Sequence, residues 1–190
     1  YKDEWEIFLS KDCSTITILS TCYNHNTNIA FVCLINLDVT DPANVQQTGR
    51  TYLSGKYLSA RLVDEEILLI SRYNLRNDID FDDPSTFVPQ YGTSEEKECV
   101  PGDKIVAPEK LDSTRYTVIC KLDQKTLASK ATGAFLSYAD DVYVSSNKIY
   151  ATRPYYSEDK LPNFDKYASS EIFDNYRFQS VWTEISAMDY

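Results

Sequence analysis

The sequence is short of positive charge. It carries 19 Lys and Arg against 29 Asp and Glu, a formal net charge of −10. A nucleic-acid binder needs a basic stripe to neutralise phosphates, so the balance argues against a nucleic-acid partner. It argues equally against docking on an anionic membrane surface. Histidine is nearly absent, with His25 alone, and none of the five cysteines (Cys13, Cys22, Cys33, Cys99, Cys120) falls in a C-x-x-C pair. A structural zinc site therefore has no ligand set at the usual spacing. Glycine is scarce, at 5 residues. No G-x-G-x-x-G, G-x-x-x-x-G-K-[ST] or G-x-S-x-G occurs, which removes the dinucleotide, P-loop and nucleophile-elbow signatures. No apolar run approaches the roughly 20 residues of a membrane helix, so membrane insertion by a helix is not expected. The chain opens Tyr1-Lys-Asp-Glu-Trp-Glu, without Met and inside what looks like a strand. It is expected to be a piece of a longer protein, so the missing signal peptide says nothing about the parent.

What is present is strand-forming. Hydrophobic residues make up 43% of 190 residues, enough for one full-sized core, and tyrosine is abundant at 15. Tyr suits half-buried sheet surfaces, with an apolar ring and a wet hydroxyl. From Asn28 to Asn74 four short runs follow one another: Ile29 to Leu37, Gln46 to Leu53, Tyr57 to Val63 and Glu66 to Ser71, separated by polar turns. The pattern recurs. Tyr116 to Asp123 matches Phe31 to Asp38, Thr132-Gly133 matches Thr48-Gly49, Asp141 to Ser145 matches the third run, and Lys148 to Thr152 the fourth. Tyr23-Asn24 repeats as Tyr73-Asn74.

Units of about 40 to 45 residues with four strands each are the signature of a β-propeller. First strands such as Phe31 to Leu37 are apolar on both faces, as a strand between neighbouring blades must be. The competing architecture is a β-sandwich, which also has short strands at regular spacing. The expected fold is all-β: a partial propeller of four-stranded antiparallel blades forming an open arc, with long acidic loop insertions. Residues 1–24 read as the end of a blade, 28–74 as a blade, 75–114 as an acidic insertion, 115–155 as a blade, 156–175 as a second insertion, and 176–190 as the first strand of the next blade. Helix is expected only as a turn near Ser169 to Tyr176. Such an arc would leave Trp5, Ile7 and Leu9 at one flank, and Val181, Trp182 and Ile185 at the other, as exposed apolar surface.

The first insertion holds ten acidic and four basic residues, a net −6 of the chain's −10. It is expected to leave the sheet core and be mostly irregular. Within it, Asp78, Asp80 and Asp82 alternate as the opening ligands of some calcium loops do. The sixth position from Asp78 is Asp83 rather than Gly, and the twelfth is Pro89 rather than Glu, so this is no EF-hand. A solvated acidic loop is the preferred reading, with calcium the one cofactor the residues leave open. Cys33 and Cys120 sit in apolar runs and read as small core residues. Cys13 and Cys99 are open to pairing or reaction, and the odd count leaves at least one thiol free. His25 reads as a link residue. Trp5, Trp182 and the tyrosines could form a sugar-stacking surface, but their strand periodicity favours packing.

The run Val32-Cys-Leu-Ile-Asn-Leu-Asp-Val-Thr-Asp-Pro-Ala-Asn44, followed by Tyr57 to Ser71, resembles a family of secreted bacterial and archaeal proteins. These carry a C-terminal β-propeller distantly related to WD40 repeats. The insertion from Asn77 to Gln90, and the later strands at Thr132 to Leu136 and Val142 to Ala151, fit the same pattern. Proline is missing beside Asn44 where the family often has one. The chain also holds only two whole units and two partial ones. The resemblance implies an extracellular or cell-envelope setting, and a scaffold or binding role toward a protein or glycan at the cell surface. It supplies no catalytic residues. The first expectation is thus a non-enzymatic binding or scaffold module. The alternative is part of a propeller enzyme acting on glycans or peptides through acidic residues, which would need two carboxyls facing each other across a cleft.

Overall fold

A computed structural model describes residues 5–24, 29–75, 78–107, 114–137, 139, 141–144, 148–157 and 180–189. Among these the chain is all-β, with two single 3₁₀ turns and no α-helix. It divides into two compact units, Tyr1–Tyr138 and Ala139–Tyr190.

The first unit contains two sheets. Strands β1 (Trp5–Leu9), β2 (Thr15–Tyr23), β3 (Ala30–Asp38) and β4 (Gln46–Ser54) form an antiparallel meander, sheet A. Strands β5 (Lys56–Val63) and β6 (Glu66–Asn74) belong to sheet B. The short strands β7 (Gln90–Gly92) and β8 (Lys97–Cys99) extend sheet A beyond β4, and β9 (Ile105–Val106) joins the far edge of sheet B. Strands β10 (Arg115–Asp123) and β11 (Ser129–Phe135) complete sheet B in the order β5-β6-β10-β11-β9, with the β11–β9 pair parallel. In the second unit, β12 (Asp141–Val144), β13 (Lys148–Ser157) and β14 (Ser180–Asp189) make a three-stranded antiparallel sheet.

The sheets are cut elsewhere than the sequence units. The four strands of 28–74 split two and two: β3 and β4 close sheet A, and β5 and β6 open sheet B. Likewise 115–155 is divided between β10–β11 and β12–β13. Residues 5–23 are the first half of sheet A rather than the end of a preceding blade. The cut falls at Gly55. Its φ of +101° suits glycine, and a Cβ there would lie 2.3 Å from the Arg72 carbonyl oxygen. The Gly55 N–H still donates to the Ala30 oxygen at 2.9 Å, holding the last ladder bond of sheet A before the chain crosses to sheet B.

Strand alternation explains the packing. Leu19, Val32, Leu34 and Leu53 from sheet A share one core with Ala60, Ile67, Leu69, Tyr73, Tyr116, Val118, Cys120, Leu122, Leu127 and Ala134 from sheet B. Each large apolar side chain so buried contributes about 1.5–3 kcal/mol. The described part of the insertion, residues 78–107, does not stand away from this core as the sequence suggested. Strand β4 presents unpaired backbone groups at its edge, and Gln90–Gly92 satisfies them. Val100 is buried in the core, and Val88, Tyr91 and Ile105 pack against it. The expected turn at 169–176 lies outside the described residues.

A polar tie crosses the core. Asn36, fully buried on β3, accepts from the Thr17 hydroxyl at 2.7 Å. Its amide donates to the carbonyl oxygens of Gln124 (2.6 Å) and Lys125 (3.0 Å), in the turn between β10 and β11. The Lys125 ammonium also pairs with Asp12 at 2.7 Å, so that turn of sheet B is fixed to sheet A twice.

Candidate functional site: a cleft at the end of the two sheets

Where sheet A runs on past sheet B through β7 and β8, a cleft of about 420 Å³ opens. That volume is within the range of small-ligand sites. Its floor is apolar: Leu34 and Leu53 from sheet A, Leu122 and Leu127 from sheet B. Its walls carry Thr51, Tyr91, Thr93, Glu96 and Glu98 on one side and Cys120, Thr126 and Ser129 on the other.

The wall formed by the β7–β8 hairpin depends on Gly92. Its φ is +123°, and a Cβ there would sit 2.3 Å from the Glu96 oxygen. The turn is closed by the Thr93 N–H to the Glu96 oxygen (2.9 Å) and by the Glu96 N–H to the Thr93 hydroxyl (3.1 Å). The Thr51 hydroxyl donates to the Gly92 oxygen at 3.1 Å and fixes the hairpin to β4. Tyr91 donates its hydroxyl proton to Glu98 Oε2 at 2.9 Å. Burial, and then that carboxylate, raise the Tyr91 phenol above its ordinary value, so it remains a neutral donor.

Opposite, Cys120 lies at the base with Thr132 Oγ1 at 3.4 Å and Ser129 Oγ at 3.7 Å, and these two hydroxyls are 2.7 Å apart. Burial pushes the Cys120 thiol up. A thiol held protonated is a poor nucleophile.

Alternation along the strands sorts the charges. Glu98 pairs with Tyr91, and Tyr91 with Leu53, on the core side of sheet A. Lys97 and Arg50 belong to the opposite face. The Lys97 ammonium lies 4.7 Å from the Phe31 ring centroid, and the Arg50 guanidinium 5.1 Å from that of Tyr52. Arg50 Nε also donates to Cys33 Sγ at 3.3 Å. Arg50 also lines the cleft, but its guanidinium is taken up by the Tyr52 ring and Cys33, while Glu96 and Glu98 line it without an ion pair among the described residues.

The residues singled out for calcium do not form a ligand cage. Asp80 Oδ1 accepts from the Asp82 N–H at 3.0 Å, and Asp83 caps the 3₁₀ turn Pro84–Thr86 through the Ser85 N–H at 3.0 Å. Asp78 is placed just ahead of them. Among the described residues no three His, Cys, Asp or Glu side chains converge to hold a metal. All five cysteines are free thiols, with Cys33 and Cys120 buried. His25 lies outside the described residues.

The family profile described as the β-propeller domain matches residues 6–188, nearly the whole chain. The chain belongs to the β-propeller domain family. Curated protein sequences give no match. Among solved structures the chain is similar to an acylaminoacyl peptidase of Pyrococcus horikoshii, with 8% identity and a TM-score of 0.30. The likeness covers 96% of this chain but only 31% of that one. Within the propeller domain, sequence reasoning missed the cleft. The signal for it was the short alternation Gln90-Tyr-Gly and Lys97-Glu-Cys around a Gly-Thr-Ser turn, hidden inside a stretch dominated by acid and proline.

Proposed function

We propose that this propeller domain is a non-catalytic binding module, and that the cleft between the β7–β8 hairpin and the β10–β11 turn is where it takes its ligand. The observation carrying this reading is the cleft itself: an apolar floor ringed by hydroxyls and carboxylates, on a rigid two-sheet frame. The partner class is a protein or glycan outside the cell. The resemblance to secreted bacterial and archaeal propellers related to WD40 repeats supports a secreted or cell-envelope setting. No helix among the described residues is long and apolar enough to cross a membrane.

The non-catalytic reading draws on the chemistry at hand. Among the described residues, the carboxylates with shifted acidity, Asp12, Asp38, Glu66 and Asp123, are all shifted downward, by lysines, hydroxyls and backbone N–H groups at turns and strand edges. A general acid needs the opposite shift. A binding screen against glycans, peptidoglycan fragments and peptides tests the reading. Wild type is expected to retain specific ligands, and Ser129→Trp, which fills the cleft from an exposed rim position, is expected to lose them. Ligands held equally by both would remove the cleft from the proposal. Recovering the ligands cleaved would favour the propeller-enzyme alternative.

A further inference from the structure

Resting on the binding reading above, we infer that the cleft recognises a basic peptide segment: an extended strand laid along β8, with a Lys or Arg side chain entering between Glu96 and Glu98. Three observations carry this.

The first is charge. Glu96 and Glu98 line the cleft, and both are exposed. Neither is in an ion pair, and Glu98 Oε1 is left over after Tyr91 has taken Oε2. The nearby cations are turned away: Lys97 lies over the Phe31 ring, and Arg50 donates to Cys33 on the other face of sheet A. Arg50 itself lines the cleft, so a ligand meets these carboxylates beside a guanidinium already engaged with Tyr52 and Cys33. In the wider field of a chain of net charge −10, the ligand is drawn in as a cation.

The second is shape and polarity. The leucines of the floor are almost fully buried, so an alkyl stem would lie over their edge and the half-buried Tyr91 ring, with the carboxylates at the rim. A Lys or Arg side chain has that order, an apolar stem and a charged tip. A neutral sugar would leave both carboxylates without a countercharge.

The third is the sheet edge. Among the described residues strand β8 ends the order β1-β2-β3-β4-β7-β8, so its outward backbone groups face no further strand there. Edge addition of an extended peptide supplies main-chain hydrogen bonds, and alternate side chains then face the cleft side of the sheet, as Glu98 does.

The test measures binding of a labelled acetyl-tetralysine amide, the same peptide with all four amines acetylated, and a neutral β-linked tetrasaccharide. Wild type is expected to prefer the charged peptide, with affinity falling as salt rises. The double variant Glu96→Gln/Glu98→Gln is expected to lose roughly tenfold in affinity at low salt. Asp82→Asn/Asp103→Asn removes the same charge elsewhere on the insertion, and should lose much less. Equal losses in the two variants would overturn the inference, since the attraction would then be diffuse. If the tetrasaccharide or acetylated peptide binds as well as the charged one, and Ser129→Trp blocks it, the cleft binds but the cationic preference is wrong. If Ser129→Trp blocks nothing, the binding reading itself fails.

Discussion

Asn36 and Gln124 are neighbours with opposite fates. Both are fully buried. The Asn36 amide has three partners, the Thr17 hydroxyl and the Gln124 and Lys125 carbonyls, at 2.6–3.0 Å. The side-chain amide of Gln124 reaches no hydrogen-bond partner through either Nε2 or Oε1. Removing one member of a satisfied buried group strands the others, and each stranded group costs about 1–3 kcal/mol. Asn36→Ala leaves a buried hydroxyl and two carbonyls unmatched at the join of the sheets, so it should destabilise by about 2–4 kcal/mol. Gln124→Met keeps the length and deletes two unmatched polar atoms, so it should be neutral or stabilising. Urea denaturation distinguishes them: the midpoint should drop for Asn36→Ala and hold or rise for Gln124→Met, at unchanged slope. A drop of similar size in both would mean that Gln124 has partners in solution. Neither role was legible beforehand. Asn36 stood in an apolar run that read as core, and nothing in the sequence singled out Gln124.

Among the elements, order and repeat were legible because strand periodicity and turn residues are local. The pairing was not. Sequence units 28–74 and 115–155 were read as repeats, yet the hydrogen-bonded sheets begin two strands away, at β1 and β5. Nothing in the side-chain pattern of Gln46 to Val63 marks the crossing except Gly55, whose left-handed backbone and close approach to Arg72 only the fold reveals. The insertion was misjudged for a related reason. Charge and proline dominate its composition, but a few apolar residues, Val88, Tyr91, Val100 and Ile105, decide where it lies.

At this scale sheet B is also held by a ladder of charge. Glu66 on β6 meets Lys121 on β10 at 2.7 Å and Lys130 on β11 at 2.8 Å, and Lys130 lies 3.4 Å from Asp123. Lys121 first, then Lys130, hold the Glu66 carboxyl below its ordinary value of 4.5. A carboxyl depressed in the folded state contributes stability that is present above its unfolded value and lost as pH falls through the folded one. Asp12 and Asp123, also depressed, act in the same direction. The thermal midpoint should therefore decline on acidification from about pH 4.5 downward. Glu66→Gln should show a shallower acid limb and a lower plateau at neutral pH. An acid limb as steep as that of wild type would show that the ladder contributes nothing.

For the whole molecule, the face of sheet A turned away from sheet B decides solution behaviour. Cross-strand pairing places Trp5 beside Ser20 and Cys33, Ile7 beside Ile18 and Ile35, and Leu9 beside Ile16 and Leu37. Trp5, Ile7 and Leu9 are 61%, 51% and 50% exposed, as expected for one flank of an open arc. The side chains of Val181, Trp182 and Ile185 lie outside the described residues. In a closed propeller a neighbouring blade covers such a face. A contiguous apolar patch on a soluble chain marks an interface or a site of self-association. Strand β1 sharpens this, because it is the edge of sheet A and offers backbone groups beside the exposed side chains. Opposing association is the net charge of −10, which acts at low ionic strength and is screened within about 8 Å at physiological salt. The two terms respond oppositely to salt, which makes the expectation specific. The purified 190-residue chain should be closest to monomeric in dilute buffer and should associate as salt is raised, by light scattering across a concentration series. Ile7→Lys/Leu9→Lys interrupts the patch on exposed positions and should leave the chain monomeric at all salt concentrations. A wild-type monomer unaffected by salt would mean that the outer face of sheet A is already covered in solution.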